Sequence, residues 1–267
     1  MSLARAIAFN LAFWVGTLII GIAGLPFLLT PRRTAMCFGR FWAQAVLFAL
    51  KHIVGLDGEV RGRENIPAGG CLIAMKHQSA WDTLMLPPLL GDPAVVIKRE
   101  LQYVPFYGWY ATRSGSIFID RKGGAGALRR MVADAKRAVA AGRPVVIFPQ
   151  GTRTTPGEPV STHPYQPGVA ALYRELDVPL VPVAVNSGLY WGRRAFMKRP
   201  GRIVAQFLEP IPPGRPRREV MAVLEARIEA ATAALEQEAA THQGDFPLIK
   251  SAMSSTTPGA SGNLGSK

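Results

Sequence analysis

From Ala6 to Pro31 the chain carries no charged residue. A helical run of that length is enough to cross the apolar core of a bilayer, for which about 20 residues suffice. Gly16, Gly21, Gly24 and Pro26 weaken helix in its C-terminal half. A second segment, TAMCFGRFWAQAVLFALKHIVGL, is apolar on most faces, yet it holds Arg40, Lys51 and His52, and its Phe and Trp side chains suit the headgroup boundary. The two are read together as a hydrophobic two-helix anchor, a hairpin or re-entrant pair over residues 1–54. A cleaved signal peptide is the competing reading. It is disfavoured because the apolar run exceeds a usual signal core and no small-residue cleavage site follows it cleanly. Arg5 precedes the first segment and Arg32 and Arg33 follow it. The positive-inside rule therefore gives no orientation, as for a segment dipping into one leaflet.

The 31 Lys and Arg residues outnumber the 18 acidic ones, for a net charge of +13. Such a balance points to polyanionic surroundings: nucleic acid, anionic lipid headgroups or a phosphorylated substrate. Nucleic acid is disfavoured, because aromatic residues are not interleaved with the basic runs and an apolar anchor is present. The runs WGRRAFMKRPGR and GRPRRE are read as a basic face suited to anionic lipid. Cys37 and Cys71 support neither a disulfide framework nor a thiolate metal site, and both are read as buried thiols in a reducing compartment.

After Gly55 short β-branched runs alternate with amphipathic stretches. Strands are predicted at 71–75, 94–98, 116–120, 144–149, 179–185 and 202–209. Helices are predicted over SAWDTLMLPPLL, VPFYGWYATRSG, GALRRMVADAKRAVAAG, PGVAALYRELD and RREVMAVLEARIEAATAALEQEA. This alternation implies an α/β fold, a mostly parallel open sheet with helices on both faces, spanning residues 55–243. Near-continuous apolar strands are what burial on both faces requires. The small, polar residues of 244–267 are expected to be disordered.

Glycine-rich GGAGALRR follows a strand and opens a helix, but Arg129 stands where a dinucleotide fingerprint needs its third glycine, and no Walker lysine is present. It is read as a strand-to-helix turn. Neither G-x-S-x-G nor H-E-x-x-H occurs, which removes the usual support for a serine hydrolase or a zinc protease. Of the four histidines, only His77 follows a buried strand, at the C-terminal strand edge where open α/β sheets bind ligands. In one regular helix His77 and Asp82 would point about 140° apart. They can meet if His77 lies in the loop and Asp82 in the first helical turn. The rival reading is a helix start, with Ser79 as N-cap and Asp82 favoured by the helix dipole.

Two further stretches lie on the same predicted edge. GSIFIDR and IFPQGTRTTPG each place an arginine just past an apolar strand, Arg121 and Arg153. Gly151 and Thr152 add a tight turn whose backbone N–H groups could face an anion. Two guanidinium forks beside a histidine suit a phosphate-bearing substrate held for proton abstraction.

These residues resemble the 1-acylglycerol-3-phosphate acyltransferases, a family of glycerolipid acyltransferases, over most of residues 70–190. The family's Asn-His-x-x-x-x-Asp is met by KHQSAWD at His77 and Asp82, its second motif by GSIFIDR, its Phe-Pro-Glu-Gly-Thr-Arg by FPQGTR, and its Val-Pro-Val-type strand by LVPVAVNSG. Lys76 replaces the usual Asn and Gln150 the usual Glu. The resemblance implies that His77, oriented by Asp82, is the general base on the sn-2 hydroxyl of lysophosphatidate, which attacks an acyl thioester of coenzyme A or acyl carrier protein. Acylation of another lysolipid, or lipid binding without turnover, are the alternatives. Arg121, Gln150, Gly151, Thr152 and Arg153 would bind the acceptor, Gln150 through an amide in place of a carboxylate. Lys76 is expected to point to the other side of the chain. Neither a cofactor nor a metal is expected, since no cluster of ligands is visible. The expected location is the membrane, with the catalytic domain on the cytoplasmic face of the inner or plasma membrane.

Overall fold

A computed structural model describes residues 2–242. The expectation for 244–267 lies outside the described residues. A seven-stranded sheet runs in the order β1-β7-β6-β2-β5-β3-β4, with β1 at Leu56–Arg61, β2 at Leu72–Met75, β3 at Ala94–Lys98, β4 at Ile117–Ile119, β5 at Val145–Ile147, β6 at Leu180–Val185 and β7 at Gly201–Phe207. Strands β4, β3, β5, β2 and β6 are mutually parallel. β7 runs antiparallel to β6, and β1 then pairs parallel with β7. The sheet is therefore the mostly parallel α/β sheet expected, with a reversed two-strand margin.

β1 was not among the predicted strands. Its sequence, LDGEVR, alternates a buried Leu56 with charged residues, and as an edge strand it carries its charge in ion pairs: Arg61 with Glu59 at 2.6 Å and with Glu238 at 2.7 Å. Edge strands tolerate such charge because one side faces solvent.

Side-chain alternation in β2 divides the interior. Cys71, Ile73 and Met75 pack on one face with Leu50, Val54, Trp81 and Leu86. Leu72 and Ala74 pack on the other with Met131, Val169, Leu172 and Leu224. Those last four belong to α6 (Gly124–Ala140), α7 (Pro167–Leu176) and α8 (Arg217–His242). The first face is covered by α1 (Leu3–Ala23), α2 (Arg32–Ala49), α3 (Trp81–Leu84) and α4 (Leu86–Leu90), while α5 (Tyr107–Arg113) packs against α2. Helices cover both faces. The single helix predicted over SAWDTLMLPPLL is broken into α3 and α4, because Pro87 and Pro88 can only open a helix and not continue one.

Of the N-terminal glycines, Gly21 and Gly24 lie in close packing, whereas Gly16 faces open space. α1 runs without a break to Ala23, and a Cβ at Gly24 would lie 2.0 Å from the Phe38 ring and 2.2 Å from the Tyr110 hydroxyl. α1 is long and apolar enough to cross a membrane. Yet one stripe of it is seated on the protein: Ala6 and Phe9 are fully buried, Asn10 bonds Lys198 at 2.8 Å, and Thr17 accepts the Trp42 indole N–H at 3.1 Å. The remaining face exposes Leu3, Leu11, Trp14, Leu18 and Ile19.

Two expectations about single residues are overturned. Cys37 is exposed, because it falls on the outer side of α2, whereas Cys71 is buried and its thiol is pushed up to about 11 by burial. Lys198 does not join a solvated basic face: it is buried, with its ammonium 5.1 Å from the centre of the Phe9 ring and 5.3 Å from that of Trp191. The aromatic faces and Asn10 offset part of its desolvation, and burial still lowers its pKa.

Candidate active site

The parallel strands β2, β5, β4 and β6 all end at one edge of the sheet, and the loops that leave them carry the sequence motifs. His77 lies in the loop after β2 and Asp82 in the first turn of α3. His77 Nδ1 is 2.9 Å from Asp82 Oδ2, so the two meet in the one arrangement open to residues five apart. The same oxygen accepts the backbone N–H groups of Gln78 at 2.7 Å and Ser79 at 2.8 Å. Three donors on one carboxylate oxygen fix it as an acceptor, which assigns the proton to Nδ1 and leaves Nε2 as the basic nitrogen.

Asp82 is fully buried and the His77 side chain is 12% exposed. The imidazole stacks on Phe148, ring centres 4.1 Å apart and planes 24° apart. Phe148 thus closes one face of the imidazole with an apolar surface. The second Asp82 oxygen, Oδ1, is buried without a partner among the described residues.

Ser79 is not the N-cap of α3. The helix begins at Trp81 with Ala80 as the capping position, and the Ser79 hydroxyl takes the Trp81 N–H at 3.2 Å. The helix start and the His–Asp pair are compatible readings, since Asp82 bonds the loop backbone and the imidazole together.

The FPQGTR loop is tied to this pair through the backbone. The His77 carbonyl accepts the Thr154 N–H at 2.8 Å and the Thr154 hydroxyl at 3.2 Å. Gly151 adopts φ +66°, a left-handed turn, with its N–H on the Phe148 carbonyl at 2.9 Å. Arg121 donates to the Gly151 carbonyl, which brings the motif after β4 onto the motif after β5. A Cβ at Gly151 would stand 2.7 Å from the Arg121 guanidinium and would displace it from the Gly151 carbonyl.

Arg153 makes no hydrogen bond or ion pair with another described residue, and its charge opposes the upward push that burial gives the Tyr107 phenol. The N–H groups of Thr152 and Arg153 likewise have no acceptor among the described residues. A partly buried, unpaired guanidinium next to free N–H groups is a site for an anion. Gln150 differs from its neighbours: it is buried and its amide donates to the His163 carbonyl at 3.0 Å, so it braces the loop from behind.

Four residues that touch or influence this edge escaped sequence reading: Phe148, Tyr107, Glu229 and Glu236. Lys76 points to the other side of the chain as expected, but it lands on Glu229 of α8 at 2.7 Å. The spacing of Glu229 and Glu236, seven residues on one helix face, was the available signal.

No metal-binding group of three or more His, Cys, Asp or Glu occurs among the described residues. A cavity of about 460 Å³ opens beside α5, lined by Leu28, Gln102, Tyr103, Trp109, Thr112 and Arg113. Another, of about 300 Å³ and including Arg32, Asp134 and Arg143, opens at the opposite end of the strands from His77, where β4 and β5 begin.

Residues 57–186 match the Acyltransferase family model. The chain is 36% identical over 162 residues, 61% of its length and 62% of the relative's, to a 1-acyl-sn-glycerol-3-phosphate acyltransferase of Pseudomonas aeruginosa. It is 31% identical over 175 residues, 64% of its length and 57% of the relative's, to the protein of that name from Saccharomyces cerevisiae. The chain thus spans about three fifths of the length of the curated relatives it matches. Among solved structures, the 1-acyl-sn-glycerophosphate acyltransferase of Thermotoga maritima shares the fold, with a TM-score of 0.72 at 21% identity over 87% of this chain and 97% of that one.

Proposed function

We propose that this chain is an acyltransferase, as the match of residues 57–186 to the Acyltransferase family model supports, and that it acylates the sn-2 hydroxyl of lysophosphatidate to give phosphatidate. The observation that carries the reading is the His77–Asp82 pair, 2.9 Å apart, with Nε2 left free to accept a proton. The acceptor hydroxyl loses its proton to Nε2 as its oxygen attacks the thioester carbonyl. Asp82 holds the tautomer and stabilises the imidazolium. The imidazolium then returns the proton to the departing thiolate, so the ester and the free thiol leave with protons balanced and no acyl-enzyme forms. Arg153, Arg121 and the N–H groups of Thr152 and Arg153 hold the acceptor's phosphate. Gly151 shapes their turn, and Gln150 keeps the loop in place.

The donor is coenzyme A or acyl carrier protein, and the acyl chain lies along the aromatic wall of α5. The exposed apolar face of α1, with α2, seats residues 1–54 in one leaflet of an anionic membrane, and the sheet edge faces the cytoplasm. Residues 55–243 do the chemistry. Val54 and Leu50 share a core with β2, so this division marks a change of role within one folded body.

The test is acyl transfer by purified protein in detergent, with lysophosphatidate and with lysolipids lacking a phosphate monoester, each offered both donors. His77→Ala should lower turnover by about 10²- to 10⁴-fold, and Asp82→Asn should leave a residue of activity. Wild-type turnover by His77→Ala would sink the mechanism. Equal use of all acceptors would move the substrate to another lysolipid.

A further inference from the structure

The residues on either side of His77 are both buried on the opposite face of the sheet, and both are held by carboxylates of one helix. Lys76 Nζ lies 2.7 and 2.8 Å from the two oxygens of Glu229, and the Tyr165 hydroxyl donates to the same Glu229 at 2.9 Å. Gln78 Nε2 donates to Glu236 at 2.8 Å, while its Oε1 accepts the Gly188 N–H at 3.0 Å. Burial raises the pKa of Glu236, and the Gln78 amide and the nearby Lys76 charge oppose that rise. Glu229 and Glu236 stand seven residues apart, almost two helical turns, and so share a face of α8.

From this arrangement we infer that Glu229 and Glu236 of α8 are positioning residues for His77, acting through its two neighbours in the chain. A β-strand that has just ended has no ladder beyond Lys76, whose N–H still reaches the Val183 carbonyl at 2.9 Å. From there Thr154 holds the His77 carbonyl and Asp82 holds the N–H groups of Gln78 and Ser79, all on the side of the loop away from α8. Two side chains pinned to one rigid helix add restraints on both sides of His77. The imidazole must sit within a fraction of an ångström of a productive line to the hydroxyl, and a displacement near 1 Å costs on the order of 10²-fold. Buried ion pairs seldom add net stability over a well-packed apolar pair, but their directional bonds can fix one arrangement.

The inference rests on the reading of His77 as the base, and the experiment separates the two. In detergent-solubilised full-length protein, kcat, the KM for donor and acceptor, and the ¹H resonance of the His77 Nδ1–H bonded to Asp82 are measured for Gln78→Ala, Glu236→Ala, Glu236→Gln and the doubly apolar Lys76→Met/Glu229→Met. The expected result is a kcat lowered roughly ten- to hundredfold in Gln78→Ala and Glu236→Ala, with both KM values unchanged and the Nδ1–H resonance shifted or broadened. Glu236→Gln, which keeps an acceptor for the Gln78 amide, should recover most of the loss. The doubly apolar variant should keep the wild-type Tm and still lose kcat. An unmoved resonance with wild-type kcat in Glu236→Ala would overturn the inference. So would a Glu236→Gln as impaired as the alanine, because the carboxylate charge itself would then be at work. The resonance needs no substrate, so failure of the acyltransfer reading alone would appear as moved resonances in an enzyme indifferent to His77→Ala.

Discussion

Arg121 and Arg153 read alike in the sequence, each in the loop just past an apolar strand, and the structure gives them different surroundings. Arg153 has no partner among the described residues, whereas Arg121 donates to the Gly151 carbonyl. Arg153→Ala should therefore raise the KM for lysophosphatidate roughly ten- to hundredfold, the loss of a charge-assisted bond of about 1.5 to 3 kcal/mol, and leave Tm unchanged. Arg121→Ala should raise the same KM and also lower Tm, because the turn at Gly151 loses its brace. Arg153→Lys should rescue poorly, since an ammonium lacks the fork. Equal effects of both substitutions on the donor KM would remove the phosphate from this loop. The cysteines allow a second check at this scale: a maleimide should label Cys37 in the native protein and reach Cys71 only after unfolding, since burial holds that thiol up near 11. His77, Asp82, Arg121 and Arg153 were legible from sequence because each follows a strand recognisable from its apolar run. Phe148 and the carboxylates of α8 were not, because what they touch is set by the layering of the sheet and not by neighbours in the chain.

Among the elements, the six strands read from apolar periodicity are present and the seventh, β1, was hidden by its own charges. Its connection to the rest of the fold is a tight one. Gly62, which ends β1, has φ +68°, and a Cβ there would lie 2.0 Å from the Phe207 carbonyl oxygen of β7. Gly62→Ala should cost about 1 to 3 kcal/mol by urea unfolding, from the left-handed backbone and the clash with main chain together. An unchanged midpoint would mean that the β1 to β7 margin is not held in this register. The sequence reading also joined α3 and α4, since a local apolar pattern does not show that prolines divide it. α8 is legible in the sequence at nearly its full length, yet nothing in the local pattern says which of its polar positions face inward.

For the molecule as a whole, the apolar helix α1 and the sheet edge that carries His77 lie on the same side. The segment after β6 carries Trp191 against Phe9 of α1, ring centres 5.8 Å apart, and β6 ends at the same edge as His77. Trp14→Glu together with Leu18→Glu, on the outward face of α1, should release the protein from vesicles of mixed anionic lipid while leaving Tm and activity on a short-chain, micellar acceptor intact. Persistent vesicle binding would show that the basic surface suffices. The seating of α1 has a further consequence. Lipid accepts any apolar side chain, so an anchor that met only lipid could drift freely in sequence or be exchanged for a foreign helix. Here Phe9 and Asn10 close over Lys198, a buried ammonium with no carboxylate partner among the described residues. The stripe through Ala6, Phe9, Asn10, Thr17 and Gly21 is thereby bound to the domain's own surface, and the two must change together. A borrowed apolar helix would leave Lys198 uncovered, so α1 is fitted to this domain and is not interchangeable.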